Sequence, residues 1–367
     1  MNGDDTILNF RFSIGNRRSA IGNQLSVEGL CVGFFTQACP EAGLSRAKSR
    51  GRGNGVVPAV QDVSFSIKKG QTFALVGESG CGKTATALAI MRLLPAGQSR
   101  VVQGKILFEG RNLLELSEKQ MRLIRGSKIS MVFQEPATSL NPVYTVGDQI
   151  AEAIELHQNK NAGQAWEDAA AILRKVGIAD PERRALEYPH RLSGGMQQRV
   201  MIAMAISCNP VLLIADEPTT ALDTTVQAQI LDLLDDLRKQ NGMSILLITH
   251  NLGVAAQRAD VVAVMYASRL VEIADSRQLL AQPHHPYTQG LLRSLPRLGS
   301  PPTGSGVERL QTIPGTVPEA LHLPGGCKFH PRCRVGCADM RCRKIEPALR
   351  EIQPGRWAAC WRAPGYE

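Results

Sequence analysis

The sequence predicts an α/β fold, a mostly parallel sheet carrying a helical insert, and three observations point to it. An apolar run at residues 72–76 passes through a glycine-rich loop into a helix over residues 84–94, a strand, loop, helix unit. Strand-like runs return at 211–215 and 244–248, separated by an amphipathic helix at 225–238. Between about residues 146 and 210 the apolar spacing is helical, as in VGDQIAEAIELH, AWEDAAAILRKVGI and GMQQRVMIAMAI.

Along the chain, residues 25–35 read as a first strand. The stretch at 38–58 is rich in Gly, Ser, Arg and Lys without any apolar period, and reads as a surface loop. Alternating apolar residues at 60–67 give a second strand, and Lys68-Lys69-Gly70 turns the chain into the run at 72–76. From about His284 onward Pro and Gly become frequent, so the last eighty or so residues read as a loop-rich appendage. The expected organisation is an N-terminal tail at 1–22, a main domain at 23–283 with a helical part at about 140–208, and an extension at 284–367.

At 367 residues, 43% hydrophobic and 20% charged, the chain has the composition of a globular protein, which argues against disordered and fibrous classes. No stretch approaches the roughly 20 apolar residues of a membrane span, and the N-terminus is acidic where a signal peptide is basic. A cytoplasmic location is therefore expected. The net charge of +9 sits at the ends, with 7 Lys/Arg against 4 Asp/Glu in residues 1–58 and 9 against 4 in residues 322–367. A nucleic-acid protein more often builds its basic patch into the central fold, so the ends read as solvated surface or as a contact with anionic lipid.

Gly77-Glu78-Ser79-Gly80-Cys81-Gly82-Lys83-Thr84 fits G-x-x-x-x-G-K-[ST] between a buried strand and a helix, the context this phosphate-binding loop requires. Its glycines let the backbone N–H groups turn inward on a phosphate, and the helix start adds positive potential. Lys83 is expected to reach the β and γ phosphates and Thr84 to ligate Mg²⁺. The strand at 211–215 delivers Asp216 and Glu217 at its C-terminal edge, where open α/β sheets bind ligands. Asp216 suits the Mg²⁺ shell, and Glu217 is placed to polarise the water that attacks the γ-phosphate. A second glycine pair, Gly194-Gly195, follows Ser193 at a natural N-cap and opens a long helix, giving a second anion site that one nucleotide does not obviously need.

With Leu192-Ser193-Gly194-Gly195-Met196-Gln197-Gln198 the sequence resembles the signature motif of ABC ATPases, and the other motifs of that family follow in its order over nearly the whole chain. The resemblance implies a P-loop NTPase sheet with an antiparallel β subdomain, a helical signature subdomain and a loop-rich C-terminal extension containing cysteines. It makes Gln134 the glutamine loop that senses Mg²⁺ and the attacking water, Ala221-Leu222-Asp223 the D-loop, and His250 the switch histidine at the γ-phosphate. It also implies head-to-tail pairing of two cassettes, the signature of one (Ser193, Gly194, Gly195, Gln197) closing on the ATP held by the other. Phe34 or Phe35 resembles the aromatic that stacks on adenine, the alternative being a core position.

Thr138-Ser139-Leu140-Asn141-Pro142, His285-Pro286-Tyr287-Thr288, Ile313-Pro314-Gly315 and Gly326-Cys327 are similar to the peptide-importer branch. That branch implies two transmembrane permease subunits, an extracytoplasmic solute-binding protein, a second ATPase subunit, identical or homologous, and no nucleic acid. Five of the nine cysteines cluster near the C-terminus. In a reducing compartment such a cluster suggests a metal before disulfides. The resemblance assigns a 4Fe-4S cluster to Cys327, Cys333, Cys342 and Cys360; Cys337 is an alternative ligand, and a Cys₄ zinc site an alternative centre. Other readings are the same motor importing a nickel chelate or similar solute, a soluble ABC ATPase acting on nucleic acid, and a GTP-dependent switch. One cassette without sustained heptads speaks against the second, and the lack of an N-K-x-D motif against the third.

Overall fold

The computed structural model describes residues 22–35, 56–220, 222–295, 312–336 and 339–366. Residues 38–55 of the expected basic loop, Ala221 of the D-loop and Cys337 lie outside the described residues, whereas Val56 and Val57, expected in that loop, are already strand, paired with Phe35 and Phe34. Two sheets organise the rest. One is antiparallel, in the order β2-β1-β4-β5, from β1 (Asn23–Phe35), β2 (Val56–Lys68), β4 (Ser99–Phe108) and β5 (Arg111–Asn112). Leu25 and Val27, then Leu30 and Val32, point inward from β1, and the register shift between Val27 and Leu30 resets the alternation.

The larger sheet runs β11-β12-β10-β9-β3-β8-β7-β6, from β3 (Thr72–Val76), β6 (Ile129–Val132), β7 (Leu212–Asp216), β8 (Ser244–Thr249), β9 (Val261–Tyr266), β10 (Arg269–Asp275), β11 (Arg350–Gln353) and β12 (Arg356–Ala358). Strands β9, β3, β8, β7 and β6 are mutually parallel, and the β10 edge is antiparallel. Every residue of β3, β7 and β8 is buried, as expected of strands covered on both faces. One core lies between the two sheets and includes Phe65 stacked on Phe73, with ring centroids 4.9 Å apart. The other lies under the helices on the opposite face.

The helical part contains Val146–Gln158, Ala162–Lys175 and Gly194–Ile206. Thr145 caps the first through the Asp148 N–H, and Asn161 with Gln164 forms a capping box on the second. Among the described residues no helix is long and apolar enough to cross a membrane.

The residues after 284 do more than decorate the surface. Strand β12 pairs with β10 and the Ala359 N–H donates to the Val271 carbonyl, so the late chain completes the large sheet. Tyr287 and Phe329 are buried against Tyr266 of β9, with centroids 4.7 and 5.2 Å from its ring. The chain enters this region over buried Glu272, whose carboxylate accepts the N–H groups of His284 (2.7 Å) and His285 (2.9 Å).

Candidate functional site

The site lies at the C-terminal ends of β3, β7 and β8. The helix Lys83–Met91 opens directly from the Gly77–Gly82 loop. Two glycines there are required by space. A Cβ on Gly77 would lie 2.2 Å from the Met265 carbonyl oxygen, and one on Gly82, at φ +105°, 2.2 Å from that of Ala59. Cys81 is buried beneath the loop, and burial pushes its thiol pKa up, which suits a packing residue rather than a reactive one.

Lys83 is buried, and its ammonium donates to the carbonyls of Gly77 (2.8 Å) and Glu78 (3.1 Å). Its Nζ also stands 3.9 Å from Glu217 Oε1. Glu217 follows β7 in the left-handed region, φ +46°, with its N–H bonded to the Ile248 carbonyl at 2.9 Å. A non-glycine residue pays about 1–3 kcal/mol for such a backbone, and here the turn aims the carboxylate back at the loop. Three groups meet Glu217 Oε2: the Thr220 hydroxyl (3.0 Å), His250 Nδ1 (3.1 Å) and the Gln134 amide (3.4 Å).

Asp216 is buried, and its Oδ1 has no hydrogen-bond partner. Burial raises its pKa most, the Thr84 hydroxyl hydrogen bond opposes that, and the Glu217 charge adds to it. An orphaned carboxylate oxygen, a hydroxyl on the next element and a nearby amide are the hard oxygen donors that Mg²⁺ takes, so Thr84, Asp216 and Gln134 fit that ion.

The helix start expected at Ser193 is present. Ser193 accepts the Met196 N–H at 3.4 Å, and exposed Gly194 leads the helix. Cβ atoms at Gly194 and Gly195 would meet Leu222 (3.8 Å) and Val226 (3.0 Å), so the signature packs beside the D-loop. Asp223 caps the helix Thr224–Asn241 through the Val226 N–H at 2.9 Å. The Gln197 amide is spent on the carbonyls of Pro189 and Leu192, which stiffens the approach to the signature. Phe34 is half-buried against the inter-sheet core, and the Arg100 guanidinium sits over the Phe35 ring at 5.3 Å.

Sequence reasoning missed three side chains. Thr220, two residues beyond the Asp216-Glu217-Pro218 run, carries no signal beyond its position. Tyr287 and Arg332 come from far along the chain: the Tyr287 hydroxyl accepts the Glu78 N–H at 3.1 Å, and the Arg332 guanidinium lies 3.1 Å from both carboxylate oxygens of Glu78.

Cys327, Cys333, Cys342 and Cys360 converge on one cavity with Phe329, Val335 and Trp361. A Cβ at Gly336 would lie 3.2 Å from the Cys342 sulfur and 3.4 Å from that of Cys333. Burial pushes the thiol of Cys327 up to about 12 and raises those of Cys342 and Cys360. Among the described residues, however, no three His, Cys, Asp or Glu side chains stand in the arrangement that holds a single metal ion. The expected iron–sulfur or zinc centre is therefore not established by this geometry.

Comparison with known proteins agrees with these features. Residues 60–220 match the family model described as ABC transporter, and residues 271–339 that described as Oligopeptide/dipeptide transporter, C-terminal region. A probable peptide ABC transporter ATP-binding protein of Sinorhizobium fredii is 53% identical over 310 residues, covering 84% of this chain and 90% of the relative. The dipeptide transport ATP-binding protein DppD of Bacillus subtilis is 52% identical over 337 residues, 92% of this chain and 94% of its own. DppD of Escherichia coli is 49% identical, with 82% and 90% covered. Among solved structures, a dimeric post-hydrolysis ATP-binding cassette bound to ADP and Pi superposes with a TM-score of 0.58 at 24% identity, covering 69% of this chain and 99% of that one, and supports the fold. A phosphate loop, an acid pair at the sheet edge and a capped signature helix thus stand in one chain with these relatives, and the chain belongs to the ABC transporter ATP-binding family as an ATPase with the C-terminal region of the oligopeptide/dipeptide branch.

Proposed function

We propose that this chain drives import of dipeptides or short peptides, bound peripherally at the cytoplasmic face of a bacterial inner membrane. Its partners in this reading are two permease subunits, an extracytoplasmic binding protein and a second ATPase, a copy of itself or a homologous chain. The observation that carries the reading is the convergence of Lys83, Gln134, Thr220 and His250 on the Glu217 carboxylate beside the phosphate loop. The relatives' peptide-transport names and the matched C-terminal region support the cargo.

The residues then divide the work. The amides of Gly77–Thr84 and the Lys83 ammonium bind the triphosphate, and Phe34 stacks on the base. Mg²⁺, when bound, neutralises charge that develops on the phosphate oxygens. Thr84, Asp216 and Gln134 supply its oxygen ligands. Glu217 accepts the proton of the attacking water, and Thr220 and Gln134 fix the carboxylate that does so. His250 donates to the γ-phosphate. Ser193, Gly194, Gly195, Gln197 and Asp223 close over the nucleotide of the partner cassette, and closure biases the permease between its two facings. Exposed Val143, Tyr144, Leu186 and Tyr188 on the helical part offer the apolar face that a permease would cover. In domain terms, residues 23–283 form the cassette and 284–367 the extension that completes its sheet.

The test is reconstitution with the permease pair and binding protein in liposomes. ATP-dependent uptake of a labelled dipeptide is expected; uptake of a nickel chelate with no peptide uptake would overturn the cargo.

A 4Fe-4S cluster at Cys327, Cys333, Cys342 and Cys360 belongs to the same reading. A cubane is larger than a single ion, so its thiolates stand further apart than the ligands of zinc, whose four sulfurs lie about 2.3 Å from one centre. Four thiols around one cavity, three of them buried and that of Cys327 half-buried, suit the larger group. Anaerobically purified protein should be brown and contain iron and sulfide, and Cys333→Ser should lose the colour. Colourless protein with stoichiometric zinc would sink the assignment.

A further inference from the structure

We propose that Arg332 is a positioning residue for ATP, reaching from the C-terminal extension into the phosphate loop to neutralise Glu78. This rests on Gly77–Thr84 being the triphosphate site. Glu78 is an acid inside a loop that receives a polyanion, and an uncompensated carboxylate there repels the ligand. The fold deals with it from outside the loop. Arg332 Nη1 lies 3.1 Å from both oxygens of the Glu78 carboxylate, 254 residues away in sequence.

The guanidinium is itself fixed. Its Nε donates to the Pro314 carbonyl at 2.9 Å, its carbon sits 5.8 Å from the centre of the Tyr266 ring, and its side chain is 7% exposed. A pair held this way differs from a mobile surface ion pair, which solvent would screen. Tyr287 makes a second tie, its hydroxyl accepting the Glu78 N–H while the Glu78 carbonyl accepts from Lys83. Glu78 is thus held by its charge, its N–H and its carbonyl, and two of those three holds come from beyond residue 284.

A residue that only anchors the extension would behave differently, because its loss could not be repaired at Glu78. The test is a charge cycle on the full chain: wild type, E78Q, R332Q and E78Q/R332Q, each assayed for binding of a fluorescent ATP analogue with Mg²⁺, for KM and kcat, and for thermal unfolding. R332Q should weaken binding and raise KM about tenfold, with kcat at saturating ATP within about twofold of wild type. E78Q/R332Q should return to within about twofold of E78Q. Wild-type affinity in a folded R332Q protein, or a double variant as weak as R332Q, overturns the proposal. If R332Q does not fold, E78Q decides: binding equal to or tighter than wild type supports neutralisation, and weaker binding refutes it. Failure of the loop reading itself would show separately, as unchanged ATP binding in Lys83→Ala.

Discussion

Glu217→Gln is expected to lower the rate of ATP hydrolysis by about 10²–10⁴-fold while ATP remains bound. The amide is close to isosteric, so the Thr220 hydroxyl still has an oxygen to donate to, and the turn at φ +46° is a backbone property that the substitution does not touch. What it removes is the acceptor for the water proton. It also removes a negative charge 3.9 Å from the Lys83 ammonium, which leaves that cation freer for phosphate and should tighten ATP binding. The variant should therefore accumulate as an ATP-loaded closed pair, read as labelled ATP retained through gel filtration at the dimer position, with import stalled. Turnover at the wild-type rate would remove Glu217 from the role of base.

Lys83→Ala should act one step earlier, at binding. The ammonium is buried, and its donors satisfy two loop carbonyls, so the substitution deletes the charge and frees the Gly77 and Glu78 carbonyls to point into the phosphate site. Truncating a desolvated charge partner costs at least about 2 kcal/mol, so affinity for ATP should fall about 30-fold or more. Titration of a fluorescent ATP analogue checks this, and near-normal affinity would contradict the phosphate-loop assignment. The two variants separate the steps: one binds without splitting, the other fails to bind.

Features made of consecutive residues were legible in the sequence. The run at 72–76 is apolar after Thr72 because both faces of β3 are covered, and the loop beyond it announces itself through glycines that the backbone spacing demands. The order of strands at 211 and 244 and the capped start at Ser193 were readable for the same reason. The β9–β10 hairpin was not. Its turn places Ala267 and Ser268 at φ +44° and +71°, a conformation normally marked by Asn or Gly, so the expected punctuation is missing. Nor could spacing reveal that Tyr287 and Arg332 reach Glu78, since contacts 209 and 254 residues apart depend on the whole fold being in place. The Pro- and Gly-rich composition after His284 suggested an appendage, yet short strands and a three-ring aromatic cluster tie that region to β9 and β10. Gln197 shows a different limit: its motif position does not reveal that its Nε2 donates to the Pro189 and Leu192 carbonyls of its own loop.

The pairing of β12 with β10 also sets an order of events during biosynthesis. Residues 350–358 leave the ribosome after every other strand of the large sheet, so β10, once made, keeps an open flank until they follow. An unpaired strand of that kind recruits whatever extended chain is nearby. Until its own last strands arrive, β10 is such an edge, and a ribosome stalled before residue 350 would display a template for misassembly.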